Sequence, residues 1–252
     1  MQAVILAGGL GSRLRPLTYV IPKTMLPIGG KPLLEHTIRY LNGYGISEFI
    51  VCVAYLKNHI MNFLKDGKQL DVKIQYAEAE MPLGTGGQLK TASKYISERF
   101  LLLNGDIVTS LNIKQLIKFH EKHQGIGTIA LKKYEIPVPY GHVELDEDNH
   151  TIGKFEEKPT FSFKANAGVY ILEPRILDYI PSNRVVSMER ETFQELLKKG
   201  EQLNGYFEDA YWADVGTLTD FERVDKELLE GFYSNPTNPS SNKQRNITHR
   251  RE

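Results

Sequence analysis

The chain has 252 residues, 41% of them hydrophobic, enough material for one large core or two small ones. Its 31 lysines and arginines balance 31 aspartates and glutamates, and a zero formal charge excludes a broad electrostatic footprint for nucleic acid or an anionic membrane. The single cysteine, Cys52, cannot form an internal disulfide, no apolar run approaches the roughly 20 residues that span a bilayer, and no export signal opens the chain, so a soluble cytoplasmic protein is expected.

Apolar strand-like runs alternate with segments of helical period. AVILAG reads as a strand, PLLEHTIRYLNGYG as a helix ending on glycine, FIVCVAYL as a strand and KNHIMNFLKDG as a helix. VKIQYA is the next strand, GTGGQLKTASKYI a helix and RFLLLNGD a strand. This order predicts an α/β fold: a doubly wound, mixed but mostly parallel sheet with helices on both faces, Rossmann-like, taking ligands at the carboxyl ends of its strands. The regularity then breaks. After the helix NIKQLIKFHEKHQG and the strand GTIALKKY, the stretch YGHVELDEDNHTIGKFEEKP predicts a hairpin turning on DEDN. A strand NAGVYILE, a helix ERETFQELLKKG and the segment YWADVGTLTDFERVDKELLEG complete the packed region, and residues 233–252, rich in Asn, Pro, Ser, Lys and Arg, are expected to form a disordered tail.

The first strand runs into Ala7-Gly8-Gly9-Leu10-Gly11-Ser12, where glycines let the backbone turn tightly and present N–H groups to phosphate oxygens or a base. Alone the signal is weak. Leu14 stands where a dinucleotide fold needs its last glycine, and no G-K-[ST] follows as in a P-loop. Arg13 and Arg15 add planar donor forks suited to a triphosphate, and Lys23 in PKTMLP adds a compact cation able to follow charge as it builds on a transferring phosphorus. Cations so close together repel one another unless an anion sits among them. For Arg15 alone an ordinary surface position is equally open.

These residues resemble the sugar-1-phosphate nucleotidyltransferases, also called nucleotide-sugar pyrophosphorylases. The family pattern, roughly LAGGxGTRLxPLT followed by PKxMLPIxxKP, appears as LAGGLGSRLRPLT and PKTMLPIGGKP, with Ser12 keeping the hydroxyl of the usual threonine. PLGTGG, LLNGD, YGHVELD, FEEKP, NAGVYIL and WADVGT follow in the family's order, so the resemblance covers about residues 1–225. It implies attack by the phosphate of a sugar 1-phosphate on the α-phosphorus of a nucleoside triphosphate, with release of pyrophosphate. It also implies a single domain over 1–232, with a nucleotide-binding part at 1–110, an inserted β-rich sugar-binding part and C-terminal helix at 111–232, and a homodimer left open.

Both reactants are anions, so charge neutralisation and in-line alignment are the main needs, and magnesium meets much of the first through one or two carboxylates and phosphate oxygens. Asp106 and Asp214 each follow a strand beside a glycine, and the resemblance makes them the Mg2+ ligands. It places Arg13 on the leaving pyrophosphate, Lys23 near the α-phosphate, and Leu6, Ala7, Gly8, Gly9, Gly11 and Ser12 around the nucleotide, with Gly84 and Thr85 opposite. Glu157 and Lys158 are the implied sugar and sugar-phosphate contacts, with Gly105, Gly141, Asn166 and Gly168 completing that side; Gly168 is expected to leave room for the sugar.

Base choice is expected in EAEMPLGTGG. Relatives that take thymidine or uridine triphosphate usually have glutamine before this glycine, whereas this chain has Glu78 and Glu80, carboxylates that accept from the N1–H and N2 amino donors of guanine. The loop looks most like the guanylyltransferases that make GDP-mannose, from guanosine triphosphate and mannose 1-phosphate, although a bacterial branch making GDP-heptose shares LGTGG. Glucose 1-phosphate with thymidine or uridine triphosphate is the runner-up, and a regulatory module that binds a nucleotide-sugar without chemistry is a remoter one. A nicotinamide-dependent oxidoreductase is disfavoured by the missing glycine and the arginines. His36, His59 and His142 lack metal-ligand spacing.

Overall fold

A computed structural model describes residues 1–230. The expected tail at 233–252 lies outside the described residues.

The chain begins with β1 (Gln2–Leu6), a short hairpin of β2 (Pro27–Ile28) and β3 (Lys31–Pro32), then α1 (Leu33–Asn42), β4 (Glu48–Val53) and α2 (Lys57–Leu64). It continues through β5 (Lys73–Glu78), α3 (Gly84–Thr91), β6 (Phe100–Asn104), β7 (Ile107–Thr109) and α4 (Ile113–His123). Next come β8 (Gly127–Pro137), the hairpin β9 (His142–Leu145) and β10 (Ile152–Glu156), and β11 (Thr160–Leu172). The last elements are α5 (Phe193–Lys198), β12 (Leu203–Phe207), β13 (Trp212–Asp214) and α6 (Leu218–Leu229).

Seven strands form the central sheet in the order β12-β8-β11-β6-β1-β4-β5. β6, β1, β4 and β5 run parallel, β12 is parallel to β8, and β11 is antiparallel to both of its neighbours, so the sheet is mixed and mostly parallel as expected. Successive residues of β1 face opposite sides: Ala3 and Ile5 join one core with Phe49, Val51 and Leu103, while Val4 and Leu6 join another with Ile50, Cys52 and Leu102. Burial on both faces explains why these strands read as continuous apolar runs. A smaller third core, from Ile28, Leu33, Val108, Ala213, Val215 and Val224, ties α6 and the β7–β13 ladder to the start of α1.

Three features depart from the sequence reading. NAGVYILE is only the second half of β11, whose first half, TFSFKA, alternates apolar and polar residues and pairs with the far end of β8 as a ribbon beyond the sheet. LNGYF forms the edge strand β12, a short run whose glycine lowers its strand signal. ERETF opens as a π-helical turn, Met188–Thr192, before α5 continues it.

Candidate active site

The carboxyl ends of β1 and β6 meet at a crossing so close that only glycine fits. The Gly105 N–H donates to the Leu6 carbonyl at 2.9 Å, and a Cβ on Gly105 would lie 2.7 Å from that oxygen. This crossing aims Asp106 over the end of β1. Asp214 reaches the same place on β13, where it pairs with Ile107 of β7, and the Val215 N–H donates to the Asp106 carbonyl at 3.0 Å. The two aspartates are thus held side by side by backbone bonds, far apart in sequence though they are.

Lys23, on the single 3-10 turn Lys23–Met25, completes the group. Its Nζ lies 2.5 Å from Asp106 Oδ2 and 3.5 Å from Asp214 Oδ1, with only 11% of the side chain exposed. Burial pushes the Asp214 carboxyl above its ordinary value, the Asp106 charge adds to that push, and Lys23 and Arg13 oppose it. Arg13 stands close by: a Cβ on Gly216 would lie 3.1 Å from Arg13 Nη1 and 3.0 Å from Asp214 Oδ2. Arg13, Lys23, Asp106 and Asp214 therefore converge, two cations among two carboxylates. Arg15 instead stacks its guanidinium 4.8 Å from the Tyr19 ring centre.

A cavity of about 140 Å³ opens over this group, lined by Leu6, Ala7, Gly9, Lys23, Thr24, Thr85, Gln88, Asn104 and Asp106. Gly11, at φ +59°, turns the loop where a Cβ would crowd Thr18 and Lys23, and Ser12 is exposed at the start of the turn that carries Arg13. Gly8 corrects one expectation. Its N–H is already given to Gln88 Oε1 at 2.8 Å, so it is not free to face a phosphate.

On the facing wall, Gly84 has φ +71° and a Cβ there would lie 2.5 Å from the Val186 carbonyl, so this glycine serves backbone packing. Thr85 lines the cavity and donates from Oγ1 to Glu189 Oε2 at 2.9 Å. Glu78 and Glu80 share one lysine: Lys57 Nζ sits 3.2 Å from Glu78 Oε2 and 3.0 Å from Glu80 Oε1.

The sugar-side residues divide into two groups. On the exposed β9–β10 arm, Gly141 and Glu157 are neighbours, since a Cβ on Gly141 would meet Glu157 Oε2 at 3.1 Å, and Lys158 Nζ lies 3.9 Å from Glu157 Oε1. Asn166 and Gly168 sit on β11, where the register slips between Asn166 and Tyr170. Asn166 spends its amide internally, donating to Tyr170 Oη at 2.9 Å and accepting from the Gly168 N–H at 2.8 Å. The room expected beside Gly168 is also taken: at φ +68° its missing Cβ would strike Ile107 and lie 2.7 Å from Asn104 Nδ2.

Sequence reasoning missed Thr24, Lys57, Gln88 and Asn104. Gln88 carried a signal, standing one helical turn after Gly84 on the same face of α3. Lys57 carried none, because its partners lie on another strand end. The donor set fits magnesium: two carboxylates converge on one cation, and among the described residues no third histidine, cysteine or acid joins them, which leaves the remaining positions to phosphate oxygens and water.

Residues 2–231 match the family described as nucleotidyl transferase. The chain belongs to the nucleotidyl transferase family. It is 36% identical over 241 residues to a mannose-1-phosphate guanylyltransferase of Mycobacterium tuberculosis, covering 94% of this chain and 67% of that one. A mannose-1-phosphate guanyltransferase of Aspergillus oryzae is 38% identical over 229 residues, covering 88% and 62%. The chain thus spans a little under two thirds of the length of some of these relatives and two thirds of others. Among solved structures, HddC from Yersinia pseudotuberculosis, complexed with GMP-PN, superposes with a TM-score of 0.71 at 30% identity over 90% of this chain and 99% of HddC. A putative glucose-1-phosphate thymidylyltransferase from Bacillus anthracis shares the fold, with a TM-score of 0.73 at 24% identity over 94% of this chain and 98% of that one.

Proposed function

We propose that this nucleotidyl transferase joins guanosine triphosphate to mannose 1-phosphate, giving GDP-mannose and pyrophosphate. The observation that carries the reading is the cluster itself, Lys23 shared by Asp106 and Asp214 beside Arg13, with Lys23 and Asp106 lining the cavity at the end of β1. A phosphate oxygen of the sugar phosphate forms the new bond to the α-phosphorus, and the α–β bond breaks with its electrons leaving on pyrophosphate. No proton or covalent enzyme intermediate is needed, so placement and charge do the catalysis. Lys23 neutralises charge at the α-phosphate and Arg13 holds the departing pyrophosphate. Asp106 and Asp214 would hold magnesium, which when bound screens the two anions from each other.

Base choice follows from pattern matching at the end of β5. The pairing edge of guanine presents an acceptor and then two donors, while that of thymine or uracil presents an acceptor, a donor and an acceptor. One ammonium with two carboxylates, Lys57 with Glu78 and Glu80, supplies one donor and two acceptors, the numbers that guanine's edge calls for. Mannose 1-phosphate and guanosine are also what the names of the relatives from Mycobacterium tuberculosis and Aspergillus oryzae specify.

The test is pyrophosphate release across five nucleoside triphosphates and a panel of glucose, mannose and related sugar 1-phosphates. The expected maximum is guanosine triphosphate with mannose 1-phosphate, abolished by a chelator and restored by Mg2+. A maximum at thymidine or uridine triphosphate with glucose 1-phosphate overturns the substrate assignment, and no release from any pair overturns the reaction.

A further inference from the structure

Thr85 on the cavity wall and Asn166 on the sugar-side strand belong to different elements and do not touch each other, yet one side chain joins them. Glu189 stands in the π-helical turn after β11. Its Oε2 accepts from Thr85 Oγ1 at 2.9 Å and from Ser187 Oγ at 2.9 Å, and its Oε1 accepts from Tyr170 Oη at 3.3 Å. Tyr170, 1% exposed, in turn accepts from Asn166 Nδ2 at 2.9 Å, and Asn166 Oδ1 holds the Gly168 N–H at 2.8 Å. Burial and the Glu189 charge push the Tyr170 phenol up, which keeps it a donor to that carboxylate.

The same turn is sewn to the nucleotide wall by backbone. The Gly86 N–H donates to the Val186 carbonyl and the Val186 N–H to the Leu83 carbonyl, both at 2.8 Å, and the Met188 N–H donates to Thr85 Oγ1 at 2.8 Å. Thr85 is therefore held on both sides, its oxygen accepting from Met188 and its proton committed to Glu189. No cation pairs with Glu189 among the described residues. A lone carboxylate at the wall of a site for two anions opposes binding by its charge, so what it offers there is its acceptors and their positions.

We propose that Glu189 is a positioning residue that locks Thr85 and Asn166 into one register, so that filling either half of the site prepares the other and the two substrates bind with positive coupling. This rests on the assignment of a nucleoside triphosphate to the Thr85 wall and a sugar 1-phosphate to the β11 side. Coupling is reciprocal: if each half orders the shared chain Thr85-Glu189-Tyr170-Asn166, the second ligand meets a wall already in place.

The test measures binding of a guanosine triphosphate analogue whose α–β bridge cannot be cleaved, with and without mannose 1-phosphate, in Mg2+ so that the anions stay screened and no turnover occurs, for the wild-type chain and for Glu189→Ala, Glu189→Gln and Glu191→Ala. Wild type should bind the nucleotide at least about fivefold more tightly with mannose 1-phosphate present than without it. Glu189→Ala should bring that ratio to about one. Glu189→Gln, which keeps an acceptor for Thr85 and Ser187, should preserve most of it. Glu191 serves as control because it fixes the same turn through Arg184 and the Ser187 N–H without touching Thr85 or Tyr170. Its removal should lower the thermal midpoint and leave the ratio intact.

Absence of coupling in wild type, an unchanged ratio in Glu189→Ala, or equal loss in Glu191→Ala would each overturn the inference. Coupled binding without pyrophosphate release in magnesium would instead sink the catalytic reading and leave Glu189 in its role.

Discussion

Lys23 is the cation shared by Asp106 and Asp214, whose side chains are 29% and 35% exposed, with Arg13 as a second cation near Asp214. Replacing it with methionine keeps the stem and removes the charge. Two like charges are then left together, and partial exposure limits the cost to about 1–2 kcal/mol of stability. Lys23→Met is therefore expected to lower the thermal midpoint in chelator, to recover it on adding Mg2+ by more than wild type does, and to cut kcat by about 10²–10³. Calorimetry that finds no greater magnesium response in the variant would remove the metal from these aspartates. The Lys57 cluster gives a pair of predictions that separate donor from acceptor. Guanine, thymine and uracil all present an acceptor first, so Lys57→Met should weaken every one of these triphosphates to a similar degree. Glu80→Gln converts one acceptor into a donor, the pattern that thymine and uracil need. The kcat/KM ratio of guanosine over uridine triphosphate should fall at least about tenfold in Glu80→Gln and stay nearly constant in Lys57→Met. A constant ratio in both variants would place base selection elsewhere.

Strands and helices whose pattern is local were legible from the chain alone. β1, β4 and β6 announce themselves as apolar runs, and α1 by its buried stripe and the glycines after it. Asp106, Asp214 and Lys23 were legible as candidates because each sits within two residues of a glycine or proline at an element end, while their meeting depends on the β7–β13 ladder, which no local pattern encodes. The same limit hid Gln88, Lys57 and Glu189, whose partners are 80, 21 or 23, and 104 residues away along the chain. It also misplaced Gly84 and Gly168, whose need for glycine comes from neighbouring backbone and side chains. One further contact between elements has a measurable consequence. Where α4, β6, β8 and β11 meet, His120 is wholly buried, accepting at Nδ1 from Thr128 Oγ1 at 2.8 Å and donating from Nε2 to Glu173 at 3.2 Å, with Arg99 on the same carboxylate. Both ring nitrogens are satisfied in the neutral form. Burial pushes the imidazole below its ordinary value, against the opposing hydrogen bond to Glu173, with Glu121 also nearby. A base depressed on folding contributes stability that is complete above the ordinary histidine range and is lost as pH falls toward the folded value. The thermal midpoint of wild type should therefore drop more steeply from pH 7 to pH 5 than that of His120→Gln, and parallel curves for the two would refute the assignment.

The molecule divides the work between a rigid sheet and a thinly supported arm. Asp106 follows β6 of the central sheet, and Lys23 and Asp214 join it from the turn Lys23–Met25 and from the β7–β13 ladder packed under α6, whereas Gly141, Glu157 and Lys158 flank β9 and β10, whose Val143, Leu145, Ile152 and Phe155 are exposed. A two-stranded ladder outside a core opens easily, so its amides exchange with solvent far faster than those of the central strands. An enzyme that must admit two anions and release two others benefits from this inequality. On the proposed reaction the charged cluster cannot drift, because a shift of about 1 Å at the reacting atoms costs orders of magnitude in rate, while the side assigned to the sugar has to open for exchange. Ligand that bridges the two should then stabilise the arm by mass action, in proportion to its concentration over its dissociation constant. At 100 times the dissociation constant of GDP-mannose, amide exchange over residues 141–158 is expected to slow by up to about a hundredfold. The same experiment with GDP alone should protect the glycine loop and leave the arm as it was. Equal exchange in the arm with and without GDP-mannose would mean that the sugar is held by the sheet edge and not by Glu157 and Lys158.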